Sequence, residues 1–196
     1  MDSSRGMLER ARQRLPSVRF SLADIANYCC DQPQDLVLAN ASLHWLGEHT
    51  TLLPRLLEQL APGGVLGIQM PDNRAEPSHQ LMRDIAAMEP FSSALGEAPV
   101  AQTALLEHAQ YSDCLAPLCT ALSLWETRYL HVLEGHQAIV DWFASTGLKP
   151  FIDRLPSALQ KPYLDKYREE LTAAYPTRVD GRVLLEMPRL FIVAQR

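Results

Sequence analysis

The sequence predicts an α/β domain built on a mostly parallel sheet with helices on both faces, and three observations carry that expectation. The first is Asp35 followed by Leu36-Val-Leu-Ala39, a continuous apolar run of the kind found in a parallel strand covered on both sides. The second is the set Leu52, Leu53, Leu56, Leu57 and Leu60, whose spacing makes one broad helical stripe. The third is the turn Ala61-Pro-Gly-Gly64, which ends that helix and leads into a second apolar run, Val65–Met70. With the alternating segment Val18-Arg-Phe-Ser-Leu22 in front, residues 18–70 read strand, strand, helix, strand, which is the alternation of a parallel sheet.

The remaining elements follow in order. Residues 2–15 read as a helix, with Ser3 or Ser4 as its cap, Met7, Leu8, Ala11 and Leu15 on one face and Pro16 as its stop. Asp24-Ile25 closes the alternating strand. From Pro71 onward the character changes. Glu76-Pro-Ser opens a helix, a second helix is expected over Thr103–Gln110, and residues 74–115 read as a helical insertion, a lid over the sheet edge. Leu122–Leu133 reads as a strand, 135–147 as a short helix capped by Gly147, and 156–174 as a further helix. Val183-Leu-Leu and Leu190–Ala194 are strand-like and are expected to be split by Pro188. All of this forms one domain, residues 1–196, with no repeats.

Composition narrows the function. The chain is 47% hydrophobic and 21% charged, the balance of an ordinary globular protein. Its formal net charge is −5 and it has no Lys/Arg block, which argues against nucleic acid as a partner. A local pair of arginines can still receive a small anion. No apolar run approaches the ~18 residues of a membrane span, so a cytoplasmic protein with no membrane partner is expected. Cys29-Cys30 and the pair Cys114 and Cys119 lack a zinc-type partner pair, so no metal and no disulfide is expected.

Ligands of open α/β sheets bind beyond the C-terminal ends of the strands. Three such ends are visible: Asp24-Ile25, Asn40–Trp45 and Gln69–Asn73. Asp2 stands directly before the first helix, where a carboxylate can accept two hydrogen bonds from a ribose diol. Asp24 can accept from an adenine amine while Ile25 packs on the ring, and Asn40 with the backbone after it can line a charged tail.

The order Asp2-Ser-Ser, Ala23-Asp-Ile, Asp35–Trp45 and Leu60-Ala-Pro-Gly-Gly-Val-Leu resembles the class I S-adenosylmethionine-dependent methyltransferases. More narrowly, Gln69–Asn73, Glu76-Pro-Ser-His79, His136–Trp142, Thr146–Pro150 and Pro188–Ala194 resemble the trans-aconitate 2-methyltransferase family, over essentially the whole chain. The resemblance implies a Rossmann-like class I sheet, S-adenosyl-L-methionine as cofactor, and methyl-ester formation on a carboxylate of a small polycarboxylic acid, trans-aconitate. The nine glycines contain no G-x-G-x-G. The sheet is therefore expected to be incomplete, lacking the family's N-terminal first strand and glycine-rich loop, with unpaired strand edges open to self-association.

Cofactor contacts are expected from Asp2, Ser3, Asp24, Ile25, Asn40, Ala41 and Trp45, with the Trp45 ring facing the sulfonium. An ionised carboxylate needs no general base, so no catalytic residue is expected and the chemistry is driven by alignment. A small anionic substrate calls for arginine forks and neutral donors, and the candidates are His44, Asn73, His79, Arg83, Arg128, Tyr129 and Arg189. Arg128 ranks first, as a strand residue among bulky neighbours, and Trp142 is read as core. Two alternatives stand beside this: a methyltransferase acting on another acceptor, such as a carrier-bound malonyl group, and an inactive remnant that binds a partner through its strand edges.

Overall fold

The computed structural model describes residues 1–96 and 105–196. Its helices are α1 (Arg5–Arg14), α2 (His49–Glu58), α3 (Pro77–Ala86), α4 (Phe91–Leu95), α5 (His108–Leu115), α6 (His136–Phe143), α7 (Lys149–Ile152) and α8 (Ser157–Ala174). Its strands are β1 (Gln34–Asn40), β2 (Leu60–Pro71), β3 (Ala121–Leu133) and β4 (Val183–Gln195). They form one open sheet in the order β1-β2-β4-β3.

β1 and β2 are parallel, with Leu36 opposite Val65 and Asn40 opposite Gln69, and α2 makes the crossover between them. The α2 leucines 52, 53, 56 and 57 are buried against Ala39, Leu66, Ile68 and Met70. Pro54 has no N–H to offer the carbonyl one turn earlier, that of Thr50. The Cys114 thiol donates to that carbonyl instead, at 3.6 Å. Gly64, in the first half of β2, lies where space is shortest. A Cβ there would stand 2.8 Å from Gln34 O and 2.9 Å from Ala61 O, so only glycine fits.

The expected mostly parallel sheet is corrected in part, because β4 pairs antiparallel with both β2 and β3. Helices and strands go on alternating through β4, but the parallel pairing is confined to β1 and β2. Pro188 does not split the last strand either. In an antiparallel pair a residue's N–H and C=O face the same neighbour. Asp72 N–H donates to Pro188 O at the very end of β2, so the donor that proline lacks faces the margin of the sheet. The expected strand Val18–Leu22 reduces to a single bridge between Leu22 and Asp2, since no further strand among the described residues pairs with it. In α1, Ser4 Oγ caps Met7 N, but Leu8 alone of the expected apolar face is buried.

The two faces of β4 serve two cores. Leu190, Ile192 and Ala194 join the cluster with α2 and α5. Val183, Leu185 and Met187 join another with α3, α4, α6, α7 and α8. Segment 74–115 is thereby divided: α3 and α4 belong to the second core, while Tyr111 and Leu115 of α5 belong to the first. The helix expected over Thr103–Gln110 begins outside the described residues, and its described counterpart is α5. No helix among the described residues is long and apolar enough to cross a membrane. All four cysteines are free.

Candidate functional site

The site is organised by the turn that follows β1. Ala41 takes a left-handed φ of 47°, costly for a residue with a Cβ, and its N–H donates to Gln69 O at 2.9 Å. A 3₁₀ turn, Leu43–Trp45, then buries Leu43 and His44 and leaves Trp45 66% exposed. Ala41 and Trp45 line two cavities, one of about 620 Å³ and one of about 510 Å³, and so form the wall between them.

The larger cavity is bounded by β1 on one side and by Asp2, Ser3 and Ala23–Ile25 on the other. Asp2 Oδ1 accepts from Ser4 N at 2.7 Å and Asp24 Oδ1 from Ala26 N at 2.9 Å. Each carboxylate is thus oriented by one oxygen. Leu36 and Leu38 also line this cavity, on the strand face opposite Val37 and Ala39, and they are 59% and 71% exposed. Of the residues expected here, Asp2, Ser3, Asp24, Ile25, Ala41 and Trp45 are brought together. Asn40 is exposed and does not line the cavity. Tyr28 and Cys30 line it without having been signalled by any motif.

The second cavity lies beyond the C-terminal end of β2. Three buried tyrosines of α8 and the chain after it set its α3 wall: Tyr175 Oη accepts from Ser78 N, Tyr167 Oη donates to Ser78 O, and Tyr163 Oη donates to Met82 O. That anchoring turns His79 and Arg83, one helical turn apart, toward the cavity. Gly147 abuts this α3 wall, where a Cβ would meet Met82 Sδ at 3.2 Å and His79 Nε2 at 3.5 Å.

Three arginines line this cavity and no carboxylate does so among the described residues. Arg74 is already committed: it forks onto Asp72 at 2.8 and 3.1 Å and donates to Leu105 O at 2.7 Å. Arg83 donates to Arg74 O at 2.8 Å and Arg189 to Gln69 Oε1 at 3.3 Å, and neither meets a carboxylate among the described residues. Arg189 also lies over the Tyr129 ring, 5.3 Å from its centroid. Its Nε, Asn73 Oδ1 and His44 Nδ1 are buried without hydrogen-bond partners. Burial lowers the His44 pKa to about 4, with His49 adding to the effect. Burial, then the charge of Arg83, lowers His79 to about 4 as well. Both rings are neutral at pH 7 and offer hydrogen bonds rather than charge.

His44, Asn73, His79, Arg83 and Arg189 are thus gathered in one cavity. Arg128 stands elsewhere. Its guanidinium is tied to Glu76 at 3.0 Å, Glu186 at 2.6 Å and Glu126 at 3.7 Å, on another cavity. Tyr129 reaches the site only as the platform beneath Arg189. Trp142, read as core, is 41% exposed and lines the cavity with Thr146 and Met187. The Thr146-Gly147 motif was the available signal for that wall, whereas nothing in the pattern distinguished Arg74.

Residues 1–68 match the family model described as "Methyltransferase domain". The chain is 51% identical to the trans-aconitate 2-methyltransferase of Variovorax paradoxus, over 100% of this chain and 76% of that protein. It is 50% identical to the enzyme of that name from Paracidovorax citrulli, over 100% and 76%. For Yersinia pestis the identity is 47%, over 99% and 75%. Among solved structures, the YcgJ protein of Bacillus subtilis superposes with a TM-score of 0.57 at 10% identity, over 99% of this chain and 80% of that one, which speaks to the fold alone. The chain belongs to the trans-aconitate 2-methyltransferase family and is an enzyme that transfers a methyl group from S-adenosylmethionine.

Proposed function

We propose that this enzyme methylates one carboxylate of a small polycarboxylic acid, trans-aconitate, to give a monomethyl ester. The observation that carries the reading is the charge of the second cavity: three arginines and no carboxylate, in a chain whose net charge is −5. Arg83 and Arg189 are the two cations left uncompensated, and a substrate with several carboxylates satisfies both. His44, Asn73 and His79 supply neutral contacts around it.

The residues of the first cavity suit the methyl donor. Asp2 and Asp24 each keep a second oxygen without a partner among the described residues, for a ribose hydroxyl and an adenine amine, with Ser3 and Ile25 beside them. Ala41 and Trp45 stand between donor and acceptor, and Trp45 offers an aromatic face worth ~0.5–2 kcal/mol to a cation. S-adenosylmethionine supplies a methyl group made electrophilic by its sulfonium. The acceptor carboxylate is ionised at neutral pH, so no residue has to take a proton. What the chain contributes is orientation and the exclusion of water. A metabolite acceptor fits a cytoplasmic enzyme. The part of the expected lid that borders the acceptor cavity is α3 with the residue Arg74 before it, through His79 and Arg83.

The test is incubation of this chain with S-adenosylmethionine and trans-aconitate, read by mass spectrometry. One ester methyl per acceptor is expected. No ester, together with no binding of trans-aconitate by calorimetry, overturns the reading; in a parallel incubation with a carrier-bound malonyl group, methylation of that group alone supports the other acceptor.

A second reading concerns assembly. The outer edge of β1 has no strand partner among the described residues, and Leu36 and Leu38 stand exposed beside it. We propose that copies of the chain associate along this edge. Light scattering across a concentration series should show dimer that Leu38→Lys abolishes; a monomer at every concentration overturns it.

A further inference from the structure

His49 and Tyr111 are 62 residues apart in sequence, 1% and 0% exposed, and line neither cavity. His49 Nδ1 lies 2.6 Å from Tyr111 Oη, and His49 Nε2 lies 3.0 Å from Leu43 O. Tyr111 Oη in turn accepts from Leu106 N at 3.3 Å. One arrangement of protons satisfies every group. Leu43 O can only accept, so Nε2 carries the ring proton and Nδ1 is an acceptor. Leu106 N–H can only donate, so the hydroxyl oxygen receives it and the hydroxyl hydrogen goes to Nδ1.

Both ends of this chain of bonds matter to the site. Leu43 opens the 3₁₀ turn that carries His44 and Trp45, the wall between the cavities. Leu106 is adjacent to Leu105, whose carbonyl accepts from Arg74 of the second cavity at 2.7 Å. The single peptide group that joins Leu105 to Leu106, just before α5, is therefore held from both sides: its carbonyl by Arg74 and its N–H, through Tyr111 and His49, by the Leu43–Trp45 turn.

We propose that His49 and Tyr111 are a positioning pair that holds the Leu43–Trp45 turn against the chain entering α5, and so sets Trp45 and His44 between donor and acceptor. Neither touches a ligand, and both act through the turn. The inference rests on the reading of the two cavities given above.

Tyr111→Phe removes both of its bonds while keeping the ring in the core. The expected result, well below the melting temperature, is a fall in kcat of about tenfold or more with the KM of S-adenosylmethionine changed by less than about threefold, since a displaced reacting group costs turnover. The Trp45 indole N–H resonance, assigned with Trp45→Phe, should shift in Tyr111→Phe. His49→Gln, whose amide can still donate to Leu43 O, should recover more turnover than His49→Leu. An unmoved Trp45 resonance overturns the proposal, as does a kcat that falls only in step with thermal unfolding. If the wild-type chain does not bind a tricarboxylate, the functional reading fails, and the Trp45 resonance still decides whether the pair positions the turn.

Discussion

Acid should loosen this protein through the two histidines of the acceptor cavity. In the folded chain His44 and His79 have pKa values lowered to about 4, by burial first and then by His49 and Arg83 respectively. In the unfolded chain each returns to about 6.5. The folded pKa is the lower one, so the contribution to stability is complete above about pH 6.5 and is lost as the pH falls toward 4. Between pH 7 and pH 5 the linkage integral gives a loss of ~2 kcal/mol for one such ring. Both rings line the cavity; His44, only 5% exposed, should show most of this, and the half-buried His79 less. The two together give ~2–4 kcal/mol, a large part of a typical domain stability of ~5–15 kcal/mol. Urea unfolding at pH 7 and pH 5 measures it, with the double variant His44→Asn, His79→Gln as reference. Carboxylates such as Glu76, raised above the usual range by burial, are common to both proteins and cancel in the difference. Wild type should lose ~2–4 kcal/mol more than the variant over this interval. Equal losses would refute the burial argument.

Three further outcomes are expected. Arg83→Leu and Arg189→Leu should each weaken tricarboxylate binding by roughly 10- to 100-fold, the value of a charge-assisted contact, while Arg128→Leu leaves it unchanged in calorimetry. Turnover should be flat in pH from about 6 to 8, because an ionised acceptor needs no base; a limb with a pKa near 6.5 in the kcat profile would point to a titrating histidine in the chemistry. Gly64→Ala should lower stability by about 1–3 kcal/mol in thermal melts, because its Cβ would press on two backbone carbonyls in the first half of β2.

The apolar run of β1 and the leucine stripe of α2 made the parallel pair legible, but the expected cover on both faces fails: Val37 and Ala39 face α2, whereas Leu36 and Leu38 on the other face are exposed. Pro188 misled because a sequence does not say where the neighbouring strand ends: a missing N–H costs little at the margin of β2. The exchange of Arg128 for Arg189 as the free cation has the same origin. Arg128 stands opposite Pro188, and Arg189 opposite Thr127, so the two arginines point to opposite faces of the sheet. One face carries Glu76, Glu126 and Glu186, which neutralise Arg128, and the other carries the cavity. Strand register decides between them, and register emerges only from the pairing of β3 with β4. Arg74 and Trp142 escaped for a related reason, since their place in the wall depends on how the chain before α5 meets Arg74 and on how α6 packs against β3 and α8.

A crystal structure of this chain with S-adenosylhomocysteine and trans-aconitate bears most directly on the central claim. The account predicts the nucleoside between Asp2 and Asp24, carboxylates on Arg83 and Arg189, and the sulfur and the nearest carboxylate meeting at the Ala41–Trp45 wall. A tricarboxylate seated instead on Arg128, or held with no contact to Arg83 and Arg189, would contradict it.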